Sequence, residues 1–159
     1  MEVVPVVSGI EQEVQLVVFS LGEEEYGVPV GQVQEIIRMA AITQMPKAPS
    51  FVEGVINLRG RVIPVVDLKR LFDLGQSAHD DKSRIIVVEV GDKTVGITVD
   101  DVSEVLRLPV GTIDPPPAVA GADQGFLTGV GKLDQRLLML LDLEKLMPGL
   151  SLAEAGLTA

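Results

Sequence analysis

The sequence predicts a mainly β fold: two pseudo-symmetric five-stranded lobes, each a small β-barrel, packed around a shared aliphatic core, with a few short helices. Three observations predict it. First, the chain is 47% hydrophobic but only 3% aromatic and has no Trp, so Val, Leu and Ile must build the core. β-Branched residues suit a pleated surface, and 16 Gly and 10 Pro recur too often for long helices. Second, the chain is internally duplicated. Leu16–Met39 matches Ile85–Leu108 without a gap at a shift of 69, setting Gly22 on Gly91, Gly27 on Gly96, Val33 on Val102, Glu35 on Glu104 and Arg38 on Arg107. Gly54–Phe72 matches Gly129–Met147 at a shift of 75. Two copies of about 60 residues make a pair of lobes, whereas a solenoid needs three or more repeats. Third, short apolar runs bounded by Gly and charged residues recur along the chain, the mark of strands joined by tight turns.

In chain order, residues 1–13 are a tail, 14–76 the first lobe, 77–83 a polar linker, 84–147 the second lobe and 148–159 a tail or short helix. All form one domain in which strands are free to interleave between lobes. Val14–Leu21 and Arg84–Val90 open a hairpin in each copy, and Tyr26–Val30 and Val95–Val99 return. A short turn follows, Gly31-Gln32-Val33 in one copy and Asp100-Asp101-Val102 in the other, where Asp100 is placed to cap a single helical turn. Gln34–Met39 and Ser103–Leu108 are third strands, too short for the amphipathic helix their spacing also allows.

Val52–Asn57 with Arg61–Val66, and Leu127–Lys132 with Arg136–Leu141, bring each copy to five strands. The continuous apolar runs Val62–Val66 and Leu137–Leu141 predict strands buried on both faces. Pro64 lacks an N–H, which puts its strand at an edge or a bulge. Asp67 and Asp142 each precede a Leu-rich stretch and read as N-caps of short helices. The six extra residues of the second copy fall in the Pro- and Gly-rich segment Pro109–Gly125.

Net charge is −10, with no basic stripe and almost no aromatics, which excludes a nucleic-acid surface. No polybasic patch marks a membrane surface. There is no Cys, hence no disulfide and no thiolate metal site. No run approaches the roughly 20 apolar residues of a membrane span, and the first residues lack a signal-peptide pattern; a cytoplasmic protein is expected. The single histidine, His79, stands in the linker beside Asp80 and Asp81, where a solvated loop outweighs a metal site. No Ser-His-Asp set, nucleophile elbow or phosphate loop is present. Asp67 and Asp142 are better caps than a catalytic pair, and Glu23–Glu25 reads as a solvated turn. No enzyme, metal or cofactor is expected.

The two copies differ where Asn57-Leu58-Arg59-Gly60 becomes Lys132-Leu133-Asp134-Gln135. Shared positions follow from a shared fold; unshared polar ones need another account. Arg59 is either an exposed hairpin residue or a partner contact, since its planar fork gives several directed hydrogen bonds. Val33 and Glu35 recur as Val102 and Glu104 and read as framework. Val30 and Val99 end equivalent strands, placed to line a groove between lobes.

The stretches LGEEEYGVPVGQVQEIIRM, PSFVEGVINLRGRVIPVVDL, VGITVDDVSEVL and FLTGVGKLDQRLLMLLDLEKL, in this order from about Val14 to Met147, resemble the CheW family of chemotaxis coupling proteins. The resemblance implies two interleaved SH3-like five-stranded barrels and no catalysis. It implies a cytoplasmic scaffold of a two-component signal-transduction system, an adaptor linking the signalling tips of chemoreceptors to the regulatory domain of the histidine kinase CheA in arrays beneath the membrane. It implies protein–protein interaction without nucleic acid or membrane insertion, and a monomer when free. Carried over by position, Val33, Glu35, Gly54 and Arg59 match receptor-coupling positions, with Val30 and Val99 near the receptor groove. Kinase contacts would lie around Ile42 and Thr43, and around Asp114 and Val119. Some relatives have a basic residue and an aromatic at those last two positions, so the charge pairing there is altered. The rival readings are a detached CheW-like regulatory domain of a kinase and a small-molecule-binding barrel.

Overall fold

The computed structural model describes residues 12–75, 79–117 and 126–150, with side chains to residue 146. Eleven strands run in chain order: β1 (Glu13–Leu21), β2 (Glu24–Pro29), β3 (Val33–Arg38), β4 (Val52–Leu58), β5 (Arg61–Asp67), β6 (Arg84–Val90), β7 (Lys93–Val99), β8 (Asp101–Pro109), β9 (Ile113–Asp114), β10 (Leu127–Leu133) and β11 (Arg136–Leu141). Two short α-helices, α1 (Leu68–Leu71) and α2 (Leu143–Leu150), and two 3-10 turns, Val30–Gln32 and Val110–Thr112, complete the described residues. The fold is mainly β, as the composition requires.

The strands form two sheets, ordered β8-β1-β2-β11-β10-β9 and β3-β6-β7-β5-β4. Each sheet therefore takes its first hairpin from one sequence copy and its remaining strands from the other. The seams are parallel pairs between copies, β2 with β11 and β5 with β7. The edges of each sheet are brought together by a short connection. After β3, Thr43 exchanges both backbone hydrogen bonds with Val55 of β4 (2.9 and 2.8 Å). After β8 the chain makes a 3-10 turn and β9 pairs with β10, Asp114 opposite Val130.

Three apolar clusters follow from strand alternation. Leu16 and Val18 of β1 point into the six-stranded sheet with Leu138 and Leu140, and their counterparts Ile85 and Val87 of β6 point into the five-stranded sheet with Ile63 and Val65. The opposite faces of β1 and β6, carrying Val17, Phe19, Ile86 and Val88, meet in the shared core. β1 and β6 are thus buried on both faces, as is β7 from Val95 to Val99. β5 and β11 are so only in their later halves, because Val62 and Leu137 face solvent at 72% and 59% exposure. The expectation of full two-sided burial there is corrected: the starts of these strands extend past the packed region toward the hairpin tips.

Pro64 lies in an interior strand, contrary to the edge expectation. The backbone shows why this is tolerated. Val55, opposite Pro64, turns both its N–H and C=O to Thr43. The missing N–H therefore faces β7, where the β5 ladder begins only at Val65. Asp67 and Asp142 are caps as expected: Asp67 Oδ1 accepts from the N–H groups of Lys69 and Arg70 (3.0 and 3.3 Å), and Asp142 Oδ1 from Lys145 (3.1 Å). Asp100 caps no helical turn. Its carboxylate accepts instead from Gly22 N–H (2.7 Å) in the other copy's hairpin and pairs with Lys69 (3.4 Å).

Candidate functional site

The β4–β5 hairpin closes on two residues, Arg59 (φ 51°) and Gly60 (φ 88°). Positive φ at both central positions matches the right-handed strand twist. Gly60 N–H donates to Asn57 Oδ1 at 2.8 Å, so the Asn of this block fastens the turn. A left-handed Arg is uncommon, and this backbone carries the guanidinium across to β3, where it hydrogen-bonds to the Glu35 carboxylate. The bond holds Arg59 protonated even more firmly than usual. Its side chain remains 69% exposed, leaving donors open to solvent. Glu35 follows a bulge in β3, between the pairs Val33–Val88 and Glu35–Val87. Val33 packs with Val30 on the margin of the shared core. Val99 is inside that core at 2% exposure and does not itself line an open groove, contrary to the expectation.

Gly54 has φ 148°, and a Cβ there would lie 2.1 Å from Thr43 O and 2.9 Å from Ile42 Cγ2. Gly54, Ile42 and Thr43, assigned by the resemblance to different partners, are thus one contact. The close approach alone demands the glycine. Gly129 repeats it beneath Asp114 O and Ile113 Cγ2, both 2.8 Å from a notional Cβ. Asp114 also pairs with Lys132 (3.2 Å), both side chains more than half exposed. Val119 lies outside the described residues.

The mirror face of the second copy is wired differently. Arg136 donates from Nε to Glu25 Oε1 (2.7 Å) and from one terminal nitrogen to Glu25 Oε2 and Glu104 Oε2 (3.0 Å each). Both carboxylates raise the pKa of its guanidinium, Glu25 the more. The counterparts of Arg136 and Glu25 on the other sheet are Arg61 and Thr94, joined by one hydrogen bond of 3.0 Å that the Arg61 guanidinium donates to the neutral Thr94 hydroxyl. Arg61 has no carboxylate there, and Glu35 is met by Arg59 instead. Where Arg59 stands, the second copy has Asp134, and Glu104 is met by Arg136. Glu25 is therefore not the solvated turn residue expected from the EEE run.

His79 also departs from the solvated-loop expectation. Its Nε2 sits 3.0 Å from both oxygens of Glu53, and Thr98 Oγ1 donates to Glu53 Oε1 at 2.8 Å. Glu53 is the extra residue of a bulge in β4, which turns its side chain toward the linker. Nearby, Asp80 Oδ1 accepts from Lys82 N–H (2.9 Å), which with the Ser83 donors lowers its pKa. Arg136, Arg61, Thr94 and Glu53 were not singled out from the sequence, and Glu25 only as part of a solvated turn. The repeated Arg at positions 61 and 136 was a visible signal; the carboxylates, distant in sequence, gave none. Among the described residues no cluster of His, Asp or Glu is placed to hold a metal ion, and no helix is long and apolar enough to cross a membrane.

Comparison with known proteins places this geometry. The family model of the CheW-like domain matches residues 15–150. A chemotaxis protein CheW of Klebsiella aerogenes is 42% identical over 135 residues, covering 84% of this chain and 81% of that protein. One of Thermotoga maritima is 35% identical over 146 residues, covering 90% and 93%. Among solved structures, the scaffolding protein TtCheW from Thermoanaerobacter tengcongensis superposes with a TM-score of 0.77 at 41% identity, covering 82% of this chain and 89% of that one.

Proposed function

The chain belongs to the CheW family, and on that premise we propose that it is a non-catalytic chemotaxis adaptor coupling chemoreceptors to the histidine kinase CheA. The observation that carries the reading is the Gly54–Leu68 block, which presents Arg59 over Glu35 in one copy only. A receptor's helical tip lays apolar residues against Val30 and Val33, and the open donors of Arg59 bond a polar group on it. The Ile42–Thr43 contact over Gly54 and the Asp114 region face the kinase's regulatory domain. Val119 is assigned to that second contact by resemblance alone. Signal passes through changed geometry between bound proteins, with no bond made or broken. The adaptor works in the cytoplasm, in receptor arrays beneath the membrane, and is a monomer when free.

Size-exclusion chromatography of the purified chain with a CheA regulatory domain and a receptor signalling fragment tests this. Co-elution with both is the expected result, and separate elution of all three overturns it.

A further inference from the structure

We propose that Arg38 and Arg84 together seat a carboxylate of a partner protein, and that the partner is the kinase's regulatory domain. The choice of partner rests on the reading that the Ile42–Thr43 contact faces that domain, since Arg38 stands just before Ile42 in the chain. Arg38 ends β3, an edge strand of the five-stranded sheet, and lies directly opposite Arg84 at the start of β6. Residues opposite one another in an antiparallel pair project from one face, with Cβ atoms about 5 Å apart. Like charges so placed are unfavourable until something neutralises them.

Among the described residues nothing does. Arg84 gives one terminal nitrogen to the carbonyls of Asp81 (2.7 Å) and Ser83 (2.8 Å), and Arg38 makes no hydrogen bond or ion pair. The nearby Asp80 carboxylate is taken by the N–H groups of Lys82 and Ser83 (2.9 and 3.2 Å). Both guanidiniums therefore keep donors that suit a carboxylate. The framework does not require the pair: at the same register of the six-stranded sheet, Arg107 lies opposite Gln15. The second cation is thus an addition that the fold alone leaves unexplained. The surrounding charge points the same way. Residues 38–93, which supply most of the five-stranded sheet, hold nine of the chain's 13 Lys and Arg but only seven of its 23 Asp and Glu. In a chain of net charge −10, an acidic partner is drawn to this side and repelled by the other. Access is open, because Arg38 is exposed and Arg84 half-buried.

Titration calorimetry of the full chain with a purified CheA regulatory domain tests the seat. Arg38→Glu should weaken binding about tenfold or more. One Asp→Arg or Glu→Arg replacement on the domain should restore it, the sign of a direct pair. Arg38→Gln, which copies the arrangement of the other sheet, should also weaken binding. It should at the same time raise the melting temperature of the free chain by about 1–2 °C, because it removes a repulsion. A lower melting temperature overturns the premise that the pair is uncompensated. Unchanged affinity of Arg38→Glu overturns the seat. So does competition by inorganic phosphate that no replacement on the domain affects, which makes a free anion the occupant. Loss of a self-associated form alone overturns it too, in favour of a second copy. If the unaltered chain fails to bind the domain, the adaptor reading falls and this inference with it; an unaltered chain that binds, with Arg38 variants that bind equally well, removes this inference alone.

Discussion

Glu35 and Glu104 hold equivalent positions yet answer to different arginines. Glu104 shares Arg136 with Glu25, so that guanidinium spends its directed bonds inside the molecule. Arg59 meets a single carboxylate and keeps donors facing solvent. If the open face is the docking face, Arg59→Glu should abolish capture by a receptor fragment in a pull-down. It should also leave the melting temperature within about 2 °C, because exposed ion pairs add little to stability. Unchanged capture would remove Arg59 from the site. The difference between Arg59 and Asp134 was legible in the sequence, since gapless copies expose any polar mismatch. The partners of each charge were not, because Glu25 and Arg136 lie 111 residues apart and only the fold brings them together. Tyr26, the only tyrosine, gives a second residue-scale expectation. Burial between Phe19 and Phe72, then the charge of Glu24, pushes its phenol above the ordinary value. The neutral form is favoured in the folded protein, so this contribution is full below the unfolded pKa of about 10 and lost as pH rises through the folded one. Alkaline titration followed by tyrosinate absorbance should place the midpoint above 10 in the native protein and at about 10 in urea.

At the scale of elements, strands were readable because their apolar runs are short and end in Gly with charge, as at Gly22 and Gly91. Caps were readable because Asp before a Leu-rich stretch has one strong local use. What local pattern could not supply was the edge pairing of the sheets. Pro64 was expected at an edge because its tolerance depends on Thr43 drawing both backbone groups of Val55 away. Asp100 was expected to cap a helix because its true partner, Gly22 N–H, belongs to the other copy. Two stability measurements in urea belong here. Asp67→Ala should lower stability by about 1–2 kcal/mol and Asp142→Ala by about 1 kcal/mol, since the first accepts two helix N–H groups and the second one. Gly54→Ala should cost about 3 kcal/mol or more, because a Cβ at 2.1 Å from Thr43 O expels the residue that closes the five-stranded sheet. Gly129→Ala, at 2.8 Å from its nearest neighbours, should cost less.

For the whole molecule, the duplication in the sequence is not a division in space. Each sheet is completed by the other copy's first hairpin, through the seams β2–β11 and β5–β7. A protease site placed at residues 76–78 should therefore yield a nicked protein whose two pieces co-elute under native conditions and part only in denaturant. Two pieces that separate while folded would contradict the exchange of hairpins. The same exchange governs how the chain is made. When β1–β5 have left the ribosome, neither sheet can be finished: the five-stranded one lacks its central β6 and β7 until Val99 emerges, and the six-stranded one lacks β8–β11 until Leu141 does. Pairings so distant in sequence form slowly. The nascent first half therefore waits with its valine-rich strands uncovered, a natural client for chaperones until its second half arrives.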